Sequence, residues 1–127
     1  MDQLTPTDPR VLVVDDSEEL RRFMVLVLER AGIAAESASD GEEALERAAV
    51  APPDVLVTDF RLPGIDGLET SRRLREMCGA RVVLVSGAPV RPEVARQGDA
   101  VLEKPFSPAA FVERVRALGA LPPATPG

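Results

Sequence analysis

The chain has 127 residues, 45% hydrophobic and 28% charged, which is enough for one domain built on one core. A net charge of −6 with no basic run argues against direct nucleic-acid contact, and the absence of histidine removes the commonest general base and metal ligand. Cys78 is the only cysteine, apolar runs fall far short of the roughly 20 residues a membrane span needs, and the polar start of the chain is no signal peptide. A cytoplasmic protein without internal disulfides or membrane insertion is therefore expected. Fourteen arginines accompany a single lysine, Lys104.

Residues 1–9 read as a flexible arm. Val11 to Val14 form a continuous apolar run ending in Asp15-Asp16, the mark of a strand buried on both faces. Leu20, Phe23, Met24, Val27, Leu28 and Ala31 recur at helical spacing and give the inner stripe of a first helix, stopped by Gly32. Asp16 and Glu19 have capping-box spacing at its start. Residues 33–38 form a weaker, partly polar strand suited to a sheet edge. Ser39 and Glu42 open a second helix, over about 40–49, with Ala44, Leu45 and Ala48 inward.

The third strand, Val55 to Val57, runs into Asp59 and a loop containing Pro63 and Gly64. Asp66 and Glu69 then cap a third helix reaching about Cys78, with Leu68, Leu74 and Met77 inward and Gly79 as its stop. Val82 to Val85 form a fourth buried strand ending at Ser86. The segment before Val101-Leu102 has room only for a short helix near 91–97. A fifth strand leads to Glu103-Lys104-Pro105-Phe106. The last helix starts with Ser107 as N-cap and Pro108 at its first position. A Phe106–Phe111 staple and an inner stripe of Phe111, Val112, Val115 and Leu118 complete it. Residues 119–127 read as a flexible tail, leaving 10–118 as the domain.

Alternating strands and helices with doubly buried strands imply an α/β, flavodoxin-like, doubly wound parallel sheet of five strands and five helices. The polar second strand belongs at an edge. Strands 1, 3, 4 and 5 each end in a polar group, and those groups converge only if the strands are neighbours. Order 2-1-3-4-5 meets both conditions and sets the topological switch point between strands 1 and 3.

Asp15, Asp16, Asp59, Ser86 and Lys104 then share one rim. Carboxylates ~5 Å apart repel by about 3 kcal/mol per pair at an effective dielectric near 20, so the cluster calls for a cation. Mg²⁺, a hard ion content with one or two carboxylates and waters, fits and would also hold a phosphoryl oxygen. Lys104 and the Ser86 hydroxyl can take two further oxygens. Asp59 is then a nucleophile attacking phosphorus in line. Each residue alone has a plainer account: helix-start charge for Asp15-Asp16, a solvated loop acid for Asp59, turn chemistry for Ser86. Their conjunction at four strand ends carries the argument.

These residues resemble the receiver domain of bacterial two-component response regulators over about residues 10–118. The matching stretches are Val-Val-Asp15-Asp16-Ser, Val-Thr-Asp59-Phe-Arg-Leu-Pro63-Gly-Ile-Asp66-Gly67, Ser86-Gly87 and Glu-Lys104-Pro105-Phe106. The resemblance implies that Asp59 takes a phosphoryl group from a phosphohistidine on a sensor histidine kinase or a histidine phosphotransfer protein. It implies Mg²⁺ on Asp16 and Asp59, with Asp15 acting through water and the Arg61 backbone carbonyl as a further ligand. It assigns Ser86 and Lys104 to phosphate binding and makes the peptide before Pro105 cis. Such a domain signals and catalyses only its own phosphorylation and dephosphorylation.

The chain departs from that family in three places. The segment between Ser86 and Lys104 is short by about a helical turn, which stunts helix 4. The strand-5 position that usually holds an aromatic switch residue is Val101. Arg61 and Ala88 flank the approach of water to a phosphorylated Asp59, and a long Arg there predicts slow loss of the group, on the order of hours. The expectation is a stand-alone receiver that works by docking through helix 1 or helix 5, because Val25 and Leu26 lie off the inner stripe of helix 1. Rival readings are a pseudo-receiver that is never phosphorylated, a dehalogenase-type phosphohydrolase and a flavin binder. The phosphohydrolase would carry its nucleophile on strand 1, and the flavin binder would need a phosphate-cradling loop after strand 1 where this chain has acids.

Overall fold

The five apolar runs pair side by side in the order β2-β1-β3-β4-β5, all parallel, in a computed structural model that describes residues 8–62 and 64–124. The strands are β1 (Val11–Val14), β2 (Ala35–Ala38), β3 (Val55–Asp59), β4 (Arg81–Ser86) and β5 (Ala100–Glu103). The helices between them are α1 (Glu18–Arg30), α2 (Gly41–Val50), α3 (Gly67–Cys78), α4 (Pro92–Ala95) and α5 (Pro108–Gly119). Val11 of β1 sits level with Ala35 of β2 and Val55 of β3, so the strands start at one rim and end together at the other. The sheet order and the five helices match the sequence expectation, and α4, expected near 91–97, is shorter still at four residues.

Strand pleating sends alternate side chains to two cores. Val11, Val13, Val55, Val57, Val83 and Val85 meet Met24, Leu28, Phe111 and Val115 from α1 and α5. Leu12, Val14, Leu56, Val82 and Leu84 meet Ala44, Ala48 and Leu74 from α2 and α3. Phe111, fully buried, also carries the staple, its ring centroid 5.4 Å from that of Phe106.

Several local expectations shift. Ser17, not Asp16, caps α1, accepting from the Leu20 N–H at 3.2 Å. Asp40 caps α2, and Glu43 rather than Glu42 reaches back, accepting from the Ser39 N–H at 2.8 Å. Phe23 and Met77 point outward rather than into the core. Val25 packs against the core, leaving Leu26 as the exposed apolar residue beyond it. The caps expected at Asp66 and Ser107, and Gly79 at φ +69° ending α3, are present.

Residues 1–7 of the arm and 125–127 of the tail lie outside the described residues. Within them, Asp8 pairs with Arg116 at 3.2 Å and Pro9 is buried beside Gly119. Arg81 Nε donates to the Pro122 carbonyl at 2.9 Å, and Ala124 N–H donates to the Gly79 carbonyl at 2.7 Å. The rim where the strands start is closed by Asp99, which sequence reading did not single out. Its carboxylate accepts from Val82 N–H at 2.8 Å, from Arg75 Nη2 at 3.0 Å and from Arg81 Nη1 at 3.1 Å.

Candidate functional site

The opposite rim gathers the acids. Asp59 is the last residue of β3, Asp15 and Asp16 follow β1, and Lys104 follows β5. One carboxylate oxygen from each of Asp15, Asp16 and Asp59 lies within 4.8 Å of the others. Lys104 Nζ stands 3.2 Å from Asp59 Oδ2 and 3.7 Å from Asp15 Oδ2. The register aligning β3 with β4, and β4 with β5, holds these ends level.

Backbone groups fix the carboxylates. Arg61 N–H donates to Asp59 Oδ1 at 2.8 Å, leaving Oδ2 toward Lys104. Ser17 N–H donates to Asp15 Oδ1 at 2.8 Å. Asp15 is 1% exposed, and its Oδ2 is buried with no hydrogen-bond partner. Burial raises the Asp15 carboxyl above its ordinary pKa, and Asp59 and Asp16 push the same way. The Ser17 N–H and Lys104 oppose them without cancelling the shift. One ammonium is too little positive charge for three acids. The orphaned Asp15 oxygen, two neighbouring carboxylates and an all-oxygen donor set fit a hard divalent cation.

Glycine permits the approach of α3. A Cβ on Gly67 would collide with the Asp59 carbonyl, so the helix can start this close to the acid only with no side chain there. The peptide between Lys104 and Pro105 is cis.

Ser86 lies at the end of β4 and is buried, but its hydroxyl is engaged in its own turn. It donates to the Ala88 carbonyl at 2.6 Å and accepts from Ala88 N–H at 3.2 Å. Arg61 places its guanidinium over the Phe60 ring, 5.9 Å from the centroid. Val101 is half-buried against the α2–α3 core. Sequence reading missed three supports. Arg21 donates to the Asp15 carbonyl at 2.8 Å, Thr58 donates to the Asp59 carbonyl at 2.9 Å, and Glu42 accepts from Ile65 N–H at 3.3 Å in the loop after Asp59. Glu42 acts from 23 residues away and leaves no local pattern, while Arg21 reaches back only six residues but to a backbone carbonyl, which no residue-type pattern marks. Thr58 had a signal, a hydroxyl next to the acid in a buried strand.

A parallel sheet in this order, with three acids and one lysine on its carboxyl rim, is the arrangement that the receiver resemblance implies. The chain belongs to the response regulator receiver domain family, which it matches over residues 11–116. It is 36% identical to the transcriptional regulatory protein ResD of Bacillus subtilis over 125 residues, covering 93% of this chain and 50% of that protein. With the alkaline phosphatase synthesis transcriptional regulatory protein PhoP of the same organism it shares 37% identity over 114 residues, covering 86% of this chain and 48% of that protein. The chain thus spans about half the length of the curated relatives it matches. Among solved structures, the Francisella response regulator 1452 receiver domain superposes with a TM-score of 0.79 at 32% identity, covering 87% of this chain and 96% of that one. Vibrio cholerae CheY4 superposes with a TM-score of 0.79 at 28% identity, covering 86% and 97%.

Proposed function

We propose that Asp59 is the phosphoacceptor of this receiver, taking a phosphoryl group from a phosphohistidine of a sensor histidine kinase or a histidine phosphotransfer protein. One Asp59 carboxylate oxygen bonds to phosphorus, the phosphorus–nitrogen bond breaks, and the imidazole leaves with that electron pair. An acyl phosphate on Asp59 results. The observation that carries this reading is the Lys104 ammonium 3.2 Å from Asp59 Oδ2 beside two further carboxylates.

Asp15, Asp16, Asp59 and the Arg61 carbonyl are proposed to hold Mg²⁺, which when bound would neutralise phosphoryl oxygens. Lys104 pairs with another oxygen, and its long contacts to Asp15 and Asp59 leave it free to shift toward the newcomer. The Ser86 hydroxyl swings from the Ala88 carbonyl to the third oxygen. That motion opens the 86–88 turn, a route from chemistry to shape that needs no aromatic at Val101.

Intact-mass measurement after incubation with acetyl phosphate and Mg²⁺ tests the reading. A gain of one phosphoryl group, lost in Asp59→Ala, is expected. No gain under saturating donor would instead leave a phosphorylation-independent adaptor.

A further inference from the structure

We propose that the exposed face of α1 is a self-association surface, on which a second copy of this chain packs its own α1 antiparallel about a two-fold axis. Glu19, Phe23, Leu26 and Arg30 are all exposed, Phe23 at 40% and Leu26 at 47%. At 100° per residue the four fall within an arc of about 60°, opposite buried Met24 and Leu28. They form one stripe with an acid at the amino end, two large apolar groups in the middle and a base at the carboxyl end.

The stripe is its own complement. An antiparallel partner centred between Met24 and Val25 sets Glu19 against the partner's Arg30, and Phe23 against the partner's Leu26. The two-fold axis repeats each pair, as a self-complementary contact requires. The charges are available: Glu18 and Arg22 pair with each other at 2.7 Å, while among the described residues neither Glu19 nor Arg30 has an ion-pair partner. Beside the stripe runs a groove of about 760 Å³ between α1 and α5, walled on the α5 side by Ala109 and Val112. It gives the partner's Phe23 ring somewhere to enter.

Size sets the strength. Two helices of 13 residues, each about 20 Å long, bury less than the roughly 1,200 Å² of a stable specific interface. The dimer is therefore weak, reversible and concentration-dependent, and added salt weakens it. None of the four residues belongs to the acid pocket, so this association stands or falls separately from phosphoryl acceptance at Asp59.

Sedimentation velocity of the full chain across a wide concentration range at low salt tests it. A monomer–dimer equilibrium is expected. Leu26→Glu should be monomeric throughout. Glu19→Arg and Arg30→Glu should each weaken the dimer about tenfold by setting like charges face to face. The double variant Glu19→Arg with Arg30→Glu should recover it, because the swap inverts both ends at once. Circular dichroism checks that each variant keeps its fold, and Phe23→Glu replaces any variant that does not. A monomer at every concentration, a dimer indifferent to these variants, or a double variant no better than the single ones would overturn the proposal.

Discussion

The two rims of the sheet hold opposite charge ratios. Where the strands start, one carboxylate, Asp99, is shared by two guanidiniums and a backbone N–H. Where they end, three carboxylates cluster beside one ammonium that reaches two of them, Asp15 and Asp59, and a buried Asp15 oxygen has no hydrogen-bond partner. In the first arrangement the carboxylate is fully engaged and outnumbered by its cations, and the atom left over is a donor, the buried Arg75 Nε. The second is short of positive charge and of donors, so it is the rim that gains by taking up a cation. A site built for ligands differs from a structural network less in the residues used than in how much is left unpaired.

The contrast can be broken most sharply at the Asp99 rim. Asp99→Ala leaves two partly buried arginines and the Val82 N–H uncompensated, and should lower the unfolding free energy by about 3 kcal/mol in urea titration. Asp99→Asn, which still accepts from Val82, should lose less. At the other rim the sign reverses. Asp15→Asn removes a buried charge facing two others, and without metal should raise stability by about 1 kcal/mol while weakening Mg²⁺ binding. Calorimetry with and without Mg²⁺ reads both effects. A loss of stability in metal-free Asp15→Asn would mean that Lys104 already balances the cluster.

The smallest effect is in pH. The Asp15 carboxyl is raised in the folded chain, chiefly by burial. Its contribution to metal-free stability is therefore present in full below the ordinary carboxylate range and is lost as pH rises through the raised value. Over that window the Asp15 carboxyl ionises, which the proposed Mg²⁺ site requires. The Mg²⁺-dependent gain in melting temperature should accordingly grow with pH, and a flat profile would place the titration elsewhere.

Much of this was legible in the chain because it is written locally. The buried strands are uninterrupted apolar runs, and Asp15, Asp59, Ser86 and Lys104 stand at or just past the ends of four of them. What was not legible depends on choices between equals or on distance. Asp16 and Ser17 both suit an N-cap, and Ser17 prevails with its N–H on Asp15 and its hydroxyl on Leu20. Ser39 and Asp40 pose the same choice at α2, where Asp40 takes the cap. Phe23 and Met77 are apolar but exposed, since apolarity records a preference and not which face a helix turns inward. Asp99 draws partners from 17 to 24 residues away, which no spacing rule reaches. The engaged Ser86 hydroxyl is a rotamer, and a sequence does not encode one directly.

The pinning of Pro9 at Gly119, and of Pro122 and Ala124 at Arg81 and Gly79, brings both ends of the described chain out on the rim that Asp99 closes. The acids face the other way. A tether that leaves from either end of the described chain, to a resin, a chip or a fused partner, therefore starts at the rim opposite the acids. A large partner approaching the acids then comes from the side away from that tether.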